Sequence, residues 1–187
     1  NVAQGMTRFF ITDDNFARNK NWEAILDRLI YLREEEGLRF KFIMQIDTMA
    51  HRTPRFIEKS ARAGCNRVYI GLENLNPDNL LEVKKRQNKI WEYRKMLQLW
   101  KEHGIIIYVG YILGFPSDTP ESIRRDIELL KRELPVDLVE FLILTPLPGS
   151  ADHQRMHAAG TWMDPDMNKY DLEHVTARHP TMSAEEL

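Results

Sequence analysis

Cysteine is nearly absent from this chain. One residue in 187, Cys65, excludes an internal disulfide framework and fits a reducing compartment. No apolar run approaches the ~20 residues of a membrane span. The start, Asn1-Val2-Ala3-Gln4, has neither the basic nor the apolar region of a signal peptide. A net charge of −2 lacks the one-sided excess that would point to nucleic acid or an anionic membrane. Hairpin signals, heptads and basic stripes are missing as well, so no partner-binding motif of those kinds is expected. The first residue is not methionine, and a strand pattern begins within the first ten residues. The sequence therefore reads as a piece of a longer protein, cut inside a domain.

What is present is ordinary soluble-protein material, 43% hydrophobic and 29% charged, in enough length for one domain with a sizeable core. Runs rich in β-branched and aromatic residues predict strands at 6–12, 40–46, 68–71, 105–113 and 137–144. Helical periodicity fills the intervals. The first helix is expected over 22–36, capped by Asn21 and ended by Gly37. The next opens at Thr53-Pro54 and stops at Gly64. Others are expected over 76–85, 90–103 and from Asp118 to about 133, with Asp118 offered as the cap. A short helix over 152–159 leads into a polar, irregular tail from Gly160. Strand and helix alternate five times, which means βαβ units and a parallel sheet, either a barrel or an open doubly wound sheet.

In both architectures the functional site lies at the carboxyl ends of the strands. Those ends carry Asp13 and Asp14, Asp47, Glu73, Gly114-Phe115-Pro116, and Thr145-Pro146. Acids in such places commonly cap the following helix, and Asp118 fits that role best. Asp13 and Asp14 lie too far before their helix for the same explanation to suffice. Glu73 is poorly placed as a cap, because Asn76 already serves, and so reads as functional. Gly110 and Gly114 interrupt a bulky strand, which implies a close approach by backbone or ligand.

Taken together, residues 12–16, Ala63-Gly64-Cys65, Gly71-Leu72-Glu73-Asn74, Lys85, the run 110–116 and Pro146-Leu147-Pro148-Gly149-Ser150 resemble the radical S-adenosylmethionine enzymes, and within them the cobalamin-binding type. The resemblance covers roughly residues 9–150. It implies an α/β fold, a partial parallel (β/α) TIM-type barrel, incomplete here and lacking its first βα unit. It places the radical core at 1–150 and a C-terminal extension at 151–187. The resemblance also implies an enzyme in which an iron–sulfur cluster, [4Fe-4S], cleaves S-adenosyl-L-methionine to a 5′-deoxyadenosyl radical. Cobalamin-dependent methyl transfer or rearrangement is possible in the parent. An electron-donor protein, a small-molecule substrate and a cytoplasmic setting belong to the same expectation.

Residue by residue, Glu73 matches the position that accepts from the ribose hydroxyls, as a carboxylate can from both at once. Lys85 matches the basic position pairing with the methionine carboxylate, with Arg86 beside it. Gln45 matches a polar position near the methionine amino group. Gly114, Phe115 and Pro116 match the segment holding the adenine edge. Asp14 and Thr145 complete the candidate cofactor-binding set. Some relatives place an acid where Gly110 stands, so a second ribose contact is absent from that position. The family's three cluster cysteines, spaced C-x3-C-x2-C, follow its first strand. Cys65 stands before the third visible strand and reads as a small buried apolar residue; the ligands are expected outside this chain, and the chain alone is expected to be inactive. Two competing readings remain. His153 and His157, spaced i, i+4, could hold zinc in a metal-dependent hydrolase, although no HExxH pattern joins them. A half-barrel with an exposed edge could also act as a non-catalytic interaction module.

Overall fold

Five runs of β-branched and aromatic residues become five strands of one sheet, in the computed structural model that describes residues 1–75 and 90–187. They are β1 (Arg8–Ile11), β2 (Lys41–Ile46), β3 (Cys65–Glu73), β4 (Ile106–Leu113) and β5 (Leu138–Ile143). Between them lie α1 (Trp22–Glu34), α2 (Phe56–Ala63), α3 (Ile90–Glu102) and α4 (Pro120–Glu133), with α5 (Ala151–Ala158) after β5. The strands run parallel and their spatial order follows the chain, β1-β2-β3-β4-β5. A doubly wound sheet reverses order at a switch point. This one does not, so of the two architectures the sequence allows, the partial barrel is the one formed. The helix expected over 76–85 lies outside the described residues.

The chain divides into two compact units. The first comprises Asn1–Leu72, Arg86–Gly110 and Glu133–Glu140; the second comprises Glu73–Lys85, Tyr111–Arg132 and Phe141–Leu187.

In the first unit, strand alternation sorts side chains onto two faces. Phe42, Met44, Ile46, Val68, Ile70, Leu72, Ile107 and Val109 are buried. Buried with them are Leu26 and Ile30 of α1, Phe56 and Ile57 of α2, and Met96, Leu97 and Trp100 of α3. Phe56 stands at the centre: Trp22 meets its ring edge-on at 5.1 Å, Trp100 does so at 6.2 Å, and Phe16 tilts against it at 6.2 Å. Lys59 is buried, and its ammonium reaches Glu23 at 2.8 Å and Asp27 at 2.6 Å, tying α2 to α1. The register shifts between Phe42 and Ile43, opposite Cys65 and Arg67, so Asn66 is the extra residue of a bulge.

Two expected helix starts differ from the structure. Pro54 lies ahead of α2, not at its first turn; Arg55, at φ 61°, precedes the helix in the left-handed region. Asn21 occupies the cap position of α1 without a side-chain capping bond.

The second unit is built around Tyr111 and Phe115, both about 1% exposed. The Leu75 amide donates to the Tyr111 hydroxyl at 3.2 Å, and Asn74 Nδ2 donates to the Ile112 carbonyl at 3.3 Å. The tail is irregular yet pinned. Ile143 N–H donates to the Leu172 carbonyl at 2.7 Å, and Met163 and Ala177 form an antiparallel bridge. His179 and Met182 are buried.

Candidate functional site

In the first unit, the carboxyl ends of β1 and β2 carry Asp13, Asp14 and Asp47. Asp13 is used locally: its carboxylate accepts from the Asn15 amide at 3.0 Å and from Asn19 Nδ2 at 2.8 Å. Asp47 accepts from the Arg18 guanidinium at 2.9 and 2.5 Å and from the Met49 amide at 2.9 Å. Asp14 is exposed beyond β1. Gln45, next to last in β2, stands opposite Tyr69 of β3 in the ladder.

That ladder pair belongs to a polar row on the sheet face opposite the buried aliphatic set. Tyr69 meets Tyr108 of β4 edge-on, with ring centroids 5.0 Å apart. Burial raises the Tyr108 phenol above its ordinary pKa, and its hydrogen bond to Glu140 of β5 adds to the rise. The row is therefore Gln45, Tyr69, Tyr108 and Glu140, each half-buried. It presents amide, phenol and carboxylate groups along one face of the sheet. Tyr69 and Glu140 were not singled out by the sequence; the signal that pointed near them was the glycine at 110.

In the second unit, Glu73 ends β3 at φ 70°, a conformation uncommon for a residue with a Cβ. Strain of this kind collects at functional positions and singles the residue out. Thr145 follows β5, its hydroxyl donating to the Ile143 carbonyl at 3.0 Å.

The turn after β4 corrects the reading of Asp118. Its carboxylate is almost fully buried and accepts from the amides of Gly114 at 3.0 Å and Phe115 at 2.9 Å. The cap of α4 is Thr119 instead: its Oγ1 accepts from the Ser122 amide at 3.1 Å, while Ser122 Oγ accepts from the Thr119 amide at 2.9 Å. Asp118 thus folds back on the turn and fixes it. His179 Nε2 donates to the Phe115 carbonyl at 2.8 Å, while its Nδ1 accepts from the Met182 amide at 3.0 Å and the Thr181 amide at 3.2 Å. The Phe115 carbonyl also accepts from the Asp118 amide at 2.8 Å, so both amides and this carbonyl are engaged within the turn and its support. Gly114 needs its glycine for its backbone, at φ 89°.

A cavity of about 630 Å³ in this unit brings Gly114, Pro116 and Thr145 together, with Arg155, Arg178 and Leu187 among its other walls. Phe115 does not line it. Lys85 and Arg86 lie outside the described residues.

The donor set does not fit an iron–sulfur cluster. Cys65 is buried at the start of β3, its thiol donates to the Arg67 carbonyl at 3.3 Å, and burial pushes its pKa up to about 12. A thiolate ligand needs the opposite environment. The row at Gln45, Tyr69, Tyr108 and Glu140 instead offers neutral and acidic hydrogen-bonding groups, the chemistry a polar nucleoside ligand needs. Among the described residues no group of three or more His, Cys, Asp or Glu side chains is gathered to hold a metal ion. His153 instead meets the Tyr170 ring, with centroids 6.4 Å apart. Among the same residues no helix is long and apolar enough to cross a membrane.

Known proteins share both sequence and fold with this chain. Bacteriochlorophyllide d C-12(1)-methyltransferase of Chlorobaculum tepidum is 29% identical over 187 residues, all of this chain and 39% of its own length. The C-8(2)-methyltransferase of the same organism is 27% identical over 91% of this chain and 37% of its own. The chain thus spans about two fifths of the length of these two relatives. Among solved structures, the radical S-adenosylmethionine methyltransferase TsrM from Kitasatospora setae, with cobalamin and a [4Fe-4S] cluster bound, superposes with a TM-score of 0.65 at 21% identity, over 76% of this chain and 26% of that one. At that identity the likeness is one of fold. The model of the Radical SAM superfamily matches residues 2–130, more than half of the chain, and the chain belongs to that superfamily.

Proposed function

We propose that this chain forms the S-adenosylmethionine-holding part of a cobalamin-dependent radical enzyme that transfers a methyl group to a small molecule. The observation that carries the reading is the match to a methyltransferase along the whole chain, inside a family match over 2–130. The polar sheet face and the strained Glu73 support it. Glu73 accepts from the ribose hydroxyls, Lys85 pairs with the methionine carboxylate, and Gln45 lies by the amino group. The carbonyls of Gly114 and Pro116 meet the adenine edge beside Phe115, while Asp14 and Thr145 line the approach. The radical core extends to about residue 150, with the remainder as its extension.

Bound S-adenosylmethionine, with a cluster and cobalamin held by residues outside this sequence, supplies the one-electron and methyl-carrying chemistry. The residues here bind, orient and keep water away. An electron donor and a cytoplasmic setting complete the proposal.

Calorimetric titration with S-adenosylmethionine tests it. Glu73→Ala should weaken binding by about 1–3 kcal/mol, the cost of losing a charged hydrogen bond. Unchanged affinity in the variant removes Glu73 from the site, and absence of binding by the wild-type protein overturns the reading.

A further inference from the structure

Gly110 breaks a run of bulky residues in β4. Its backbone does not lie in the left-handed region, so conformation is not what demands glycine there. Space is. A Cβ at 110 would overlap the Tyr69 hydroxyl, with the ring's Cζ only 3.0 Å away. The phenol of β3 therefore reaches across to β4 and sets its hydroxyl end over the residue that makes room for it. Tyr108 holds the ring edge-on from the same strand as Gly110, and Gln45 flanks it from β2. A long aromatic side chain is thus fixed at the middle of the polar face, hydroxyl included.

We propose that the Tyr69 hydroxyl is a specificity contact for a ribose hydroxyl of the bound nucleoside, and that Gly110 is the cradle that lets it reach. This rests on the reading that the chain binds S-adenosylmethionine. The chemistry favours the ribose over the ligand's other parts. A neutral phenol both donates and accepts, as a sugar hydroxyl does. The charged ends of the methionine are already assigned to Lys85 and Gln45.

The test uses Tyr69→Phe, Gly110→Ala and the double variant, titrated with S-adenosylmethionine and with 5′-methylthioadenosine, which keeps ribose and adenine but lacks the amino-acid end. Tyr69→Phe keeps the ring, so its melting temperature should match the wild type while both ligands bind about three- to tenfold more weakly, the worth of one net hydrogen bond. Gly110→Ala should lower both affinity and melting temperature, and adding Tyr69→Phe should restore part of the melting temperature without restoring affinity. Undiminished binding of both ligands by Tyr69→Phe overturns the inference. A loss confined to S-adenosylmethionine also overturns it, by moving the contact to the methionine end. Failure of the wild-type protein to bind either ligand removes the underlying reading itself.

Discussion

Rings and aliphatic chains dominate what the first unit buries, with Thr48, Lys59 and Ser60 as its buried polar residues, whereas in the second the buried polar residues weigh as much as the apolar ones. Phe16, Phe42, Phe56, Met96 and Trp100 are each 2% exposed or less in the first, all but Phe16 on regular strands and helices. Asn74, Asp118, Asp126 and His179 are each 8% exposed or less in the second and hydrogen-bonded, and most lie on turns or in the tail. The two rest on different physics. Apolar burial is non-directional and tolerates small shifts. A buried carboxylate on two amides holds one geometry and costs heavily if half-broken. That division suits a protein whose regular part carries a sheet and whose irregular part shapes a cavity.

The sharpest way to break the comparison is to remove the centre of the apolar set. Phe56→Ala should cost about 3–5 kcal/mol, the range for a fully buried ring, read as a shift in the denaturation midpoint. A loss below about 1 kcal/mol would mean that the ring cluster is not the main support of the first unit. In the second unit, Asp118→Ala should cost about 2–3 kcal/mol by leaving the Gly114 and Phe115 amides buried without their acceptor. Amide exchange is the decisive readout: protection at those two positions should collapse. Protection equal to wild type would show that other groups hold the turn.

The same contrast explains what could be read in the sequence. All five strands and the first unit's helices were legible, because burial repeats with a period of two or near 3.6 and Gly37, Gly64 and Gly104 mark helix ends. Strand order was not, since periodicity says nothing of neighbours; the choice between barrel and doubly wound sheet needed the sheet itself. Hydrogen-bond partners were the least legible. Asp118 precedes a proline-led helix and so reads as its cap, yet its carboxylate turns back to Gly114 and Phe115 while Thr119 takes the cap. Residues such as His179, 64 positions from its partner Phe115, leave no local signal at all. Among the candidate residues, Glu73 and Gly114 stand out in the sequence by their places at strand ends and Gln45 only through the resemblance, whereas nothing in the sequence marks Tyr69, whose hydroxyl fills the space over Gly110.

Asp137 puts the second unit's device into the first and so tests whether burial sets its strength. Its Oδ2 accepts from the Ile107 amide at 2.8 Å and its Oδ1 pairs with Lys101 at 2.5 Å, but its side chain is 30% exposed. Burial alone would raise its pKa; the amide of Ile107 and the ammonium of Lys101 outweigh that and lower it. A carboxyl held below its unfolded value contributes stability that is present above the ordinary aspartate range and is lost as pH falls through the folded value. Asp137→Asn should therefore cost about 1 kcal/mol at neutral pH, less than Asp118→Ala, and the cost should fade as the medium is acidified. Denaturation midpoints for wild type and variant, measured at neutral pH and again well below the aspartate range, should converge. Lines that stay parallel in acid would show that Asp137 acts through shape and not charge, and an effect as large as that of Asp118 would show that burial is not what separates the two units.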